Sequence, residues 1–201
     1  LSPKTYHLKP SSGFSLIELL VTTSIIAIIS SIVLFNFPSF SSKILLENLT
    51  HEIALVVRQA QVYGIGIRQQ EGSAGSFPSY GAHFDTDPAK QKQVLLFADA
   101  NTNGIYEAGN DTVIETFEIQ RGNYISGLCS IASGFTTCAP TEEIDITFKR
   151  PDPEAKICAG SVCTGSISAA QITVSPPAGS DIGPRFISVW ISGQIAVTSV
   201  E

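Results

Sequence analysis

The chain has 201 residues, of which 43% are apolar and only 15% charged, and its 12 basic and 18 acidic side chains give a net charge of -6. This length suits one ordinary domain with an appendage. High apolar content with low charge excludes an intrinsically disordered chain, and the acidic balance argues against direct nucleic-acid binding through a basic face. Methionine is absent, so Leu1 indicates either an alternative start codon or a fragment.

The missing charge is concentrated near the N-terminus. Between Phe14 and Ser42 the only ionisable side chain is Glu18. The apolar run from Phe14 to Phe37 is 24 residues long, and as a helix it would extend roughly 36 Å, enough for a hydrocarbon core of about 30 Å. Lys4 and Lys9 precede it without any acid. Residues 14–40 are therefore predicted to form a single span of the inner membrane, with the N-terminus in the cytoplasm and the rest outside it.

Glu18 helps to decide whether this segment is a secretory signal peptide, a plain membrane anchor or a segment with a further role. A secretory signal peptide would have a shorter apolar stretch followed by a small-residue cleavage site. A plain membrane anchor suits the length, but it gives no reason for a carboxylate, which is costly in lipid and usually has a partner.

The string GFSLIELL, from Gly13 to Leu20, resembles the N-terminal signal of type IV prepilins and of type II secretion pseudopilins. The resemblance implies a leader at residues 1–13, cleavage after Gly13 by a prepilin peptidase, and N-methylation of Phe14. It also implies that Phe14 and Glu18 act in filament assembly. The Phe14 amine of an incoming subunit would pair with Glu18 of a neighbour, and this pairing would select the register because an unpaired charge is penalised at low dielectric.

Residues 41–66 are predicted to continue this helix in amphipathic form. Apolar residues recur there at steps of four and three, which is typical of a helix with one packed face. They are Leu45, Leu49, Ile53, Val57 and Ala60. Pro38 predicts a kink or an interruption near the membrane surface, and Gly64 and Gly66 predict the end of the helix.

Residues 67–201 are predicted to form a β-rich exported head, beginning with a loop at 72–78. Short runs bounded by Gly, Pro, Asn and Asp predict eight strands, at 80–84, 93–98, 111–119, 124–129, 144–150, 171–175, 185–191 and 194–200. Their close spacing favours antiparallel pairing, and Ser192-Gly193 predicts a hairpin between the last two. The predicted fold class is α+β, pilin-like, with a long N-terminal helix packed on an antiparallel β-sheet or β-sandwich head.

The chain resembles the minor pseudopilins of the GspH/FimT group. The resemblance rests on the order of these elements, on the C-terminal string RFISVWISGQIAVTSVE and on the string ITFKRPDP. The resemblance implies a structural subunit that assembles with other pilin or pseudopilin subunits on an inner-membrane platform, driven by partner ATPases. A type II secretion pseudopilus and a type IV pilus both remain open. A major pilin is the nearest rival, and a membrane-anchored calcium- or ligand-binding β domain that does not polymerise is the alternative from another class.

Four cysteines in an exported domain predict disulfides and permit three pairings. The local pairs Cys129–Cys138 and Cys158–Cys163 are favoured, because the segments between them are rich in Gly, Ser and Thr. Zinc is disfavoured, because neither spacing is C-x-x-C and no histidine lies nearby in the sequence.

The segment from Asp99 to Asp111 resembles the start of a calcium loop, with the pattern D-x-N-x-N-G. The candidate ligands are Asp99, Asn101, Asn103, the Ile105 carbonyl, Glu107 and Asp111. The pattern departs at position twelve, where Asn110 stands in place of glutamate. The alternative is a solvated Asn-Gly turn between two strands. No cofactor is predicted to be required, and calcium is the candidate.

An enzyme is not predicted. The sequence has no G-x-S-x-G, H-E-x-x-H or phosphate-loop motif. His51 is predicted to pair with Glu47 on the polar face of the helix. The acidic groups at Asp85-Asp87 and at 142–145 are predicted to be solvated edges rather than catalytic carboxylates.

Overall fold

A computed structural model describes residues 13–66, 77–134, 137–161, 163, 165 and 167–199, with the side chains of 35–40 excepted. Most of the predicted leader, including Lys4 and Lys9, and most of the predicted loop at 72–78 lie outside the described residues. The chain divides into two compact units, residues 1–41 and 42–201, and each is described by itself.

The helix α1 spans Leu16–Ile65 and contributes residues to both units. Its stretch Leu16–Leu34 has a mean hydropathy of 2.3, with none of the stretch buried, and is long and apolar enough to cross a membrane. The bounds of α1 include Pro38, where the sequence predicts a kink or an interruption. The head contains the remainder of α1 and the ten strands that the described residues form.

Two antiparallel sheets form the head, which confirms the predicted α+β class. The first sheet has the order β3-β2-β1-β6-β7 and the second has the order β10-β9-β8-β4-β5. The strands are β1 (Ser79–Asp85), β2 (Gln93–Asp99), β3 (Thr112–Glu118), β4 (Tyr124–Ala132), β5 (Cys138–Thr141), β6 (Glu143–Phe148), β7 (Ala155–Ala159), β8 (Ile167–Ser175), β9 (Arg185–Trp190) and β10 (Ile195–Ser199). Two of these strands, β5 and β7, were not predicted from the sequence, and each is an edge strand of its sheet.

The core contains side chains from α1 and from both sheets. On α1, Leu49, Ile53, Val57 and Ala60 are buried as the helical spacing predicts, whereas Leu45 is only partly buried and its neighbour Leu46 is buried instead. The sheets add Ala82, Phe84, Val94, Leu96, Ile144, Ile146 and Phe148 from the first and Ile125, Leu128, Ile172, Val174, Ile187 and Val189 from the second. Alternate residues of each strand therefore line one core beneath the helix.

The strand β1 of the first sheet is also buried on the side away from the helix, which we call the outer face of the sheet. All seven residues of β1 are buried, although alternate side chains of a strand point to opposite sides. Part of the cover is Tyr106, whose ring centroid lies 5.0 Å from that of His83 and 5.3 Å from that of Phe97. The segment that links β2 to β3 therefore folds back over the sheet.

Both disulfides join the local pairs that the sequence favours. Cys129 is bonded to Cys138, with Cα atoms 5.4 Å apart, and this bond joins β4 to β5. Cys158 is bonded to Cys163, with Cα atoms 4.2 Å apart, and closes the turn after β7. Edge strands with few neighbours are thereby restrained in the unfolded as well as the folded chain.

The predicted C-terminal hairpin is confirmed. The strands β9 and β10 pair antiparallel, and Gly193 between them has a φ of +79°, a conformation that favours glycine. The Gln61 side-chain amide donates to the carbonyls of Pro153 and Gly193, at 3.2 Å each. The hairpin is therefore bonded directly to the last turns of α1.

Replacing Gly64 by alanine is expected to destabilise the head. The helix ends at Ile65, between the two glycines predicted to end it, and the Arg150 amide donates to the Gly64 carbonyl at 3.1 Å. A Cβ atom at Gly64 would overlap the main chain of Phe148. We expect Gly64→Ala to lower the free energy of unfolding by about 1–3 kcal/mol, as overpacking does.

The measurement is thermal unfolding of the detergent-solubilised chain, followed by circular dichroism. Gly183→Ala is the matched control, because no atom lies within 4 Å of a Cβ built there. Equal melting temperatures for the two variants would show that α1 is not held tightly against β6.

Candidate functional site

The predicted cleavage bond lies just before the helix. Gly13, Phe14 and Ser15 have no regular secondary structure, and the Leu19 amide donates to the Ser15 carbonyl at 3.1 Å in the first helical turn. The Phe14 side chain is 82% exposed. The bond between Gly13 and Phe14 is therefore in non-helical, accessible chain, where a peptidase can reach it.

Glu18 lies in the first turn of α1 and is exposed. Negative charge in a first helical turn is stabilised by the partial positive charge of the helix N-terminus. The sequence contains no Lys, Arg or His between Phe14 and Ser42, so this segment offers Glu18 no cationic side chain. Cleavage before Phe14 would create the one positive group of the segment, the new terminal amine.

The hydroxyl groups near Glu18 are bonded within the helix. Thr22 and Thr23 donate to the Leu19 carbonyl at 3.0 and 2.9 Å, and Ser24 donates to the Leu20 carbonyl at 2.8 Å. Such back-bonding lets hydroxyls lie in an apolar environment without an outside partner. Glu18, by contrast, has no cationic side chain in this segment that could neutralise its charge.

The comparison with protein families recognises this N-terminal segment. Residues 8–34 match the model described as the prokaryotic N-terminal methylation motif. The match supports a type IV pilin-like structural protein, and it implies processing by a prepilin peptidase and assembly with other pilins. With the apolar helix, the motif fits a membrane-anchored pilin. No match to a curated protein or to a solved structure was found.

A second polar group lies in the head, on the outer face of the first sheet. His83 on β1 and Asp145 on β6 are cross-strand partners, with Nδ1 and Oδ1 2.8 Å apart. Their residues are only 7% and 1% exposed. The prediction of a solvated acidic edge is therefore wrong for Asp145, because the segment between β2 and β3 covers this face.

The prediction is also wrong for Asp85, which is 3% exposed. Its carboxylate accepts hydrogen bonds from the Lys90 ammonium at 2.8 Å and from the Asp87 amide at 2.7 Å. Burial raises the pKa of Asp85, but these two bonds and the Lys90 charge outweigh it and hold the pKa below its ordinary value. The bond to Asp85 in turn raises the pKa of Lys90. Lys90 is half exposed, so the pair contributes little to stability.

The predicted pair of Glu47 and His51 does not form in the described part of the chain, although both residues are exposed on α1. Solvent competes for such surface charges, and a helical pair of this kind is worth only a few tenths of a kcal/mol. His51 is therefore a solvated residue of the polar face.

The third candidate is the loop from Asp99 to Asp111, whose polar groups bond to its own main chain. Asp99 is fully buried, and its Oδ2 accepts from the Ser79 hydroxyl and from the Gly104 amide, at 2.9 Å each. Asp111 accepts from the amides of Ala100 at 3.0 Å and Glu107 at 2.8 Å. These bonds join the start of the loop to Gly104 and its end to Ala100 and Glu107.

Charge is concentrated in this loop. Burial raises the pKa of Asp111, the amides of Glu107 and Ala100 lower it, and the charges of Asp99 and Glu107 raise it further, with a net rise. Within the ranges that the structure describes, no three His, Cys, Asp or Glu side chains are grouped as a metal site. Any ion here would therefore depend on amide and main-chain oxygens as well as carboxylates, which suits calcium rather than zinc.

Sequence reasoning missed the residues that fasten the loop to the sheet. Ser79 binds Asp99, the Lys156 ammonium donates to the Asn103 carbonyl, and Tyr106 contacts His83. These partners come from β1 and β7, far away in the chain. No local pattern could have identified them.

Proposed function

We propose that this chain is a minor pilin or pseudopilin of the GspH/FimT type, a structural subunit of a type II secretion pseudopilus or a type IV pilus. The observation that carries the proposal is the N-terminal helix. Its first part matches the methylation motif, and over Leu16–Leu34 the helix is exposed and has Glu18 as its single charged side chain. Such a surface suits lipid before assembly and the interior of a filament afterwards.

The head supports the minor-subunit assignment. Among the described residues, ten strands in two sheets follow the helix, and the last two form the β9–β10 hairpin. This agrees with the β-rich head and the C-terminal string on which the GspH/FimT resemblance rests. A membrane-anchored binding domain that never polymerises is the competing function, because the same helix would serve as a plain anchor.

Cleavage by a prepilin peptidase distinguishes a filament subunit from a plain membrane anchor. Co-expressed with a prepilin peptidase, the chain is expected to be cut between Gly13 and Phe14 and to carry a methyl group on the new N-terminus. Mass spectrometry of the N-terminal peptide measures both changes. Gly13→Leu is expected to leave more than about 90% of the chain uncut, because a bulky side chain would occupy the position next to the scissile bond.

A catalytically inactive peptidase is the control for other proteases. If the unchanged chain stays intact beside an active peptidase that processes a known prepilin, the helix is a plain anchor. Cleavage at another bond would also contradict the proposed maturation.

A further inference from the structure

The loop between β2 and β3 contains a buried carboxylate oxygen that lacks a partner. Asp99 is 0% exposed, and its Oδ2 is bonded to Ser79 and Gly104. Among the described residues its Oδ1 has no hydrogen-bond partner. A buried carboxylate oxygen without a donor is costly, so this atom is free to accept a hydrogen bond or to bind a cation.

The other oxygen of this carboxylate, Oδ2, is bonded within the loop. The bond from the Gly104 amide to Asp99 joins positions one and six of the segment, which places the carboxylate within the turn. Asn101 and Asn103 contribute further oxygens, each accepting one amide bond, from Asn103 and Ile105 respectively. A carboxamide oxygen has two lone pairs, so each retains one for a cation.

We propose that the loop from Asp99 to Asp111 binds Ca²⁺, with Asp99 Oδ1 as its buried carboxylate ligand. The side-chain oxygens of Asn101 and Asn103 and the Ile105 carbonyl supply the other candidate ligands. Glu107 and Asp111 are not grouped with Asp99 as a metal site in the described residues, and Asp111 accepts the amides that close the loop. Calcium accepts six to eight oxygens of mixed type in a flexible arrangement, whereas magnesium requires stricter geometry. The proposal does not depend on polymerisation, so its failure leaves the proposed function standing.

Lys156 limits the affinity. Its ammonium donates to the Asn103 carbonyl, and its side chain lies over Gly104. A fixed positive charge beside a cation site repels the ion. With Asp99 as its one buried carboxylate ligand, the site belongs with the weak sites of extracellular proteins, at about 0.1–1 mM.

Binding has a structural consequence for the outer face of the first sheet. Tyr106 lies in the middle of the loop and contacts both His83 and Phe97. An ion that orders the loop also holds this ring over the buried His83–Asp145 pair. Calcium binding therefore stabilises the position of Tyr106 over the outer face of the first sheet.

The test uses calorimetry and thermal unfolding of the detergent-solubilised full chain with Ca²⁺ alone. We expect saturable heat in the range of about 0.1–1 mM and a melting temperature about 3 °C higher in 5 mM Ca²⁺. Hydrogen exchange in Ca²⁺ is expected to slow within residues 99–111. No heat or no shift in melting temperature overturns the proposal, as does an equal response to Mg²⁺.

Two variants locate the ion. Asp99→Asn is expected to weaken Ca²⁺ binding at least about tenfold, while Asp181→Asn, an exposed acid outside the loop, leaves it unchanged. Because Asp99 also bonds Ser79 and Gly104, its loss can impair folding. Asn103→Asp is the second variant, since it adds a ligand charge and is expected to tighten binding at least about threefold. Its control is Asn48→Asp on α1, and equal affinities for these two variants overturn the assignment.

Discussion

A subunit with Glu18→Gln is expected to be cut after Gly13 and to stay in the membrane, yet to enter filaments at least about tenfold less often than the unchanged subunit. In the proposed assembly, the amine of one Phe14 pairs with Glu18 of a neighbour in an apolar environment. Glutamine keeps the size of the side chain but removes its charge, so the incoming amine loses its partner. An unpaired buried charge costs about 3–5 kcal/mol, and about 1.4 kcal/mol already corresponds to a factor of ten.

The measurement is the amount of each variant in sheared filaments relative to the membrane fraction. Glu47→Gln is the matched control, because it makes the same chemical change at an exposed acid of the head. Equal incorporation of the Glu18 and Glu47 variants would show that assembly does not depend on a charge pair between Phe14 and Glu18. Reduced cleavage of Glu18→Gln would show that the Glu18 carboxylate is needed for recognition by the peptidase rather than for assembly.

The N-terminal segment could be predicted from sequence because its determinants are contiguous. Length, apolarity and the position of Glu18 after Gly13 are all properties of one short stretch, and that stretch matches the methylation motif. The packed side of α1 in the head was also predicted, since a period of 3.6 residues fixes which side chains share a face. The prediction differs from the structure by one residue at the start of the head unit, where Leu46 is buried instead of Leu45.

The two missed strands have weak local signals. The strand β5 is only four residues long and contains Pro140, which lacks an amide donor, so its sequence does not favour a strand. The strand β7 lies between Pro153 and Gly160 and starts with Ala-Lys. Both are edge strands, and they pair through neighbours that local sequence does not specify.

The buried acids were mispredicted for a different reason. Clusters of charge are usually solvated, and the sequence around Asp85 and Asp145 has no sign of a cover. The pair of Asp145 and His83 lies beneath Tyr106, almost forty residues from Asp145 in the sequence, and Asp85 is bonded to Lys90 and to the Asp87 amide. Burial of this kind is a property of tertiary structure, and only the structure shows that Asp145 faces His83.

The largest loss of head stability is therefore expected from breaking this pair. Asp145→Ala leaves the His83 ring buried, without its 2.8 Å partner and beneath Tyr106. We expect the free energy of unfolding to fall by about 3 kcal/mol, because removing one partner of a buried polar pair costs more than the pair contributes. Urea unfolding in calcium-free buffer, followed by the fluorescence of the single Trp190, measures the loss.

The double variant His83→Leu with Asp145→Leu tests the physical cause. It removes both polar groups and fills the space with apolar atoms, so it is expected to be more stable than Asp145→Ala by about 1 kcal/mol or more. Asp181→Ala, at an exposed acid, is the control and is expected to change stability by less than about 0.5 kcal/mol. If the double variant is no more stable than Asp145→Ala, the loss comes from packing rather than from the unpaired histidine. If Asp145→Ala itself matches Asp181→Ala, the buried pair does not hold the two central strands of the first sheet together.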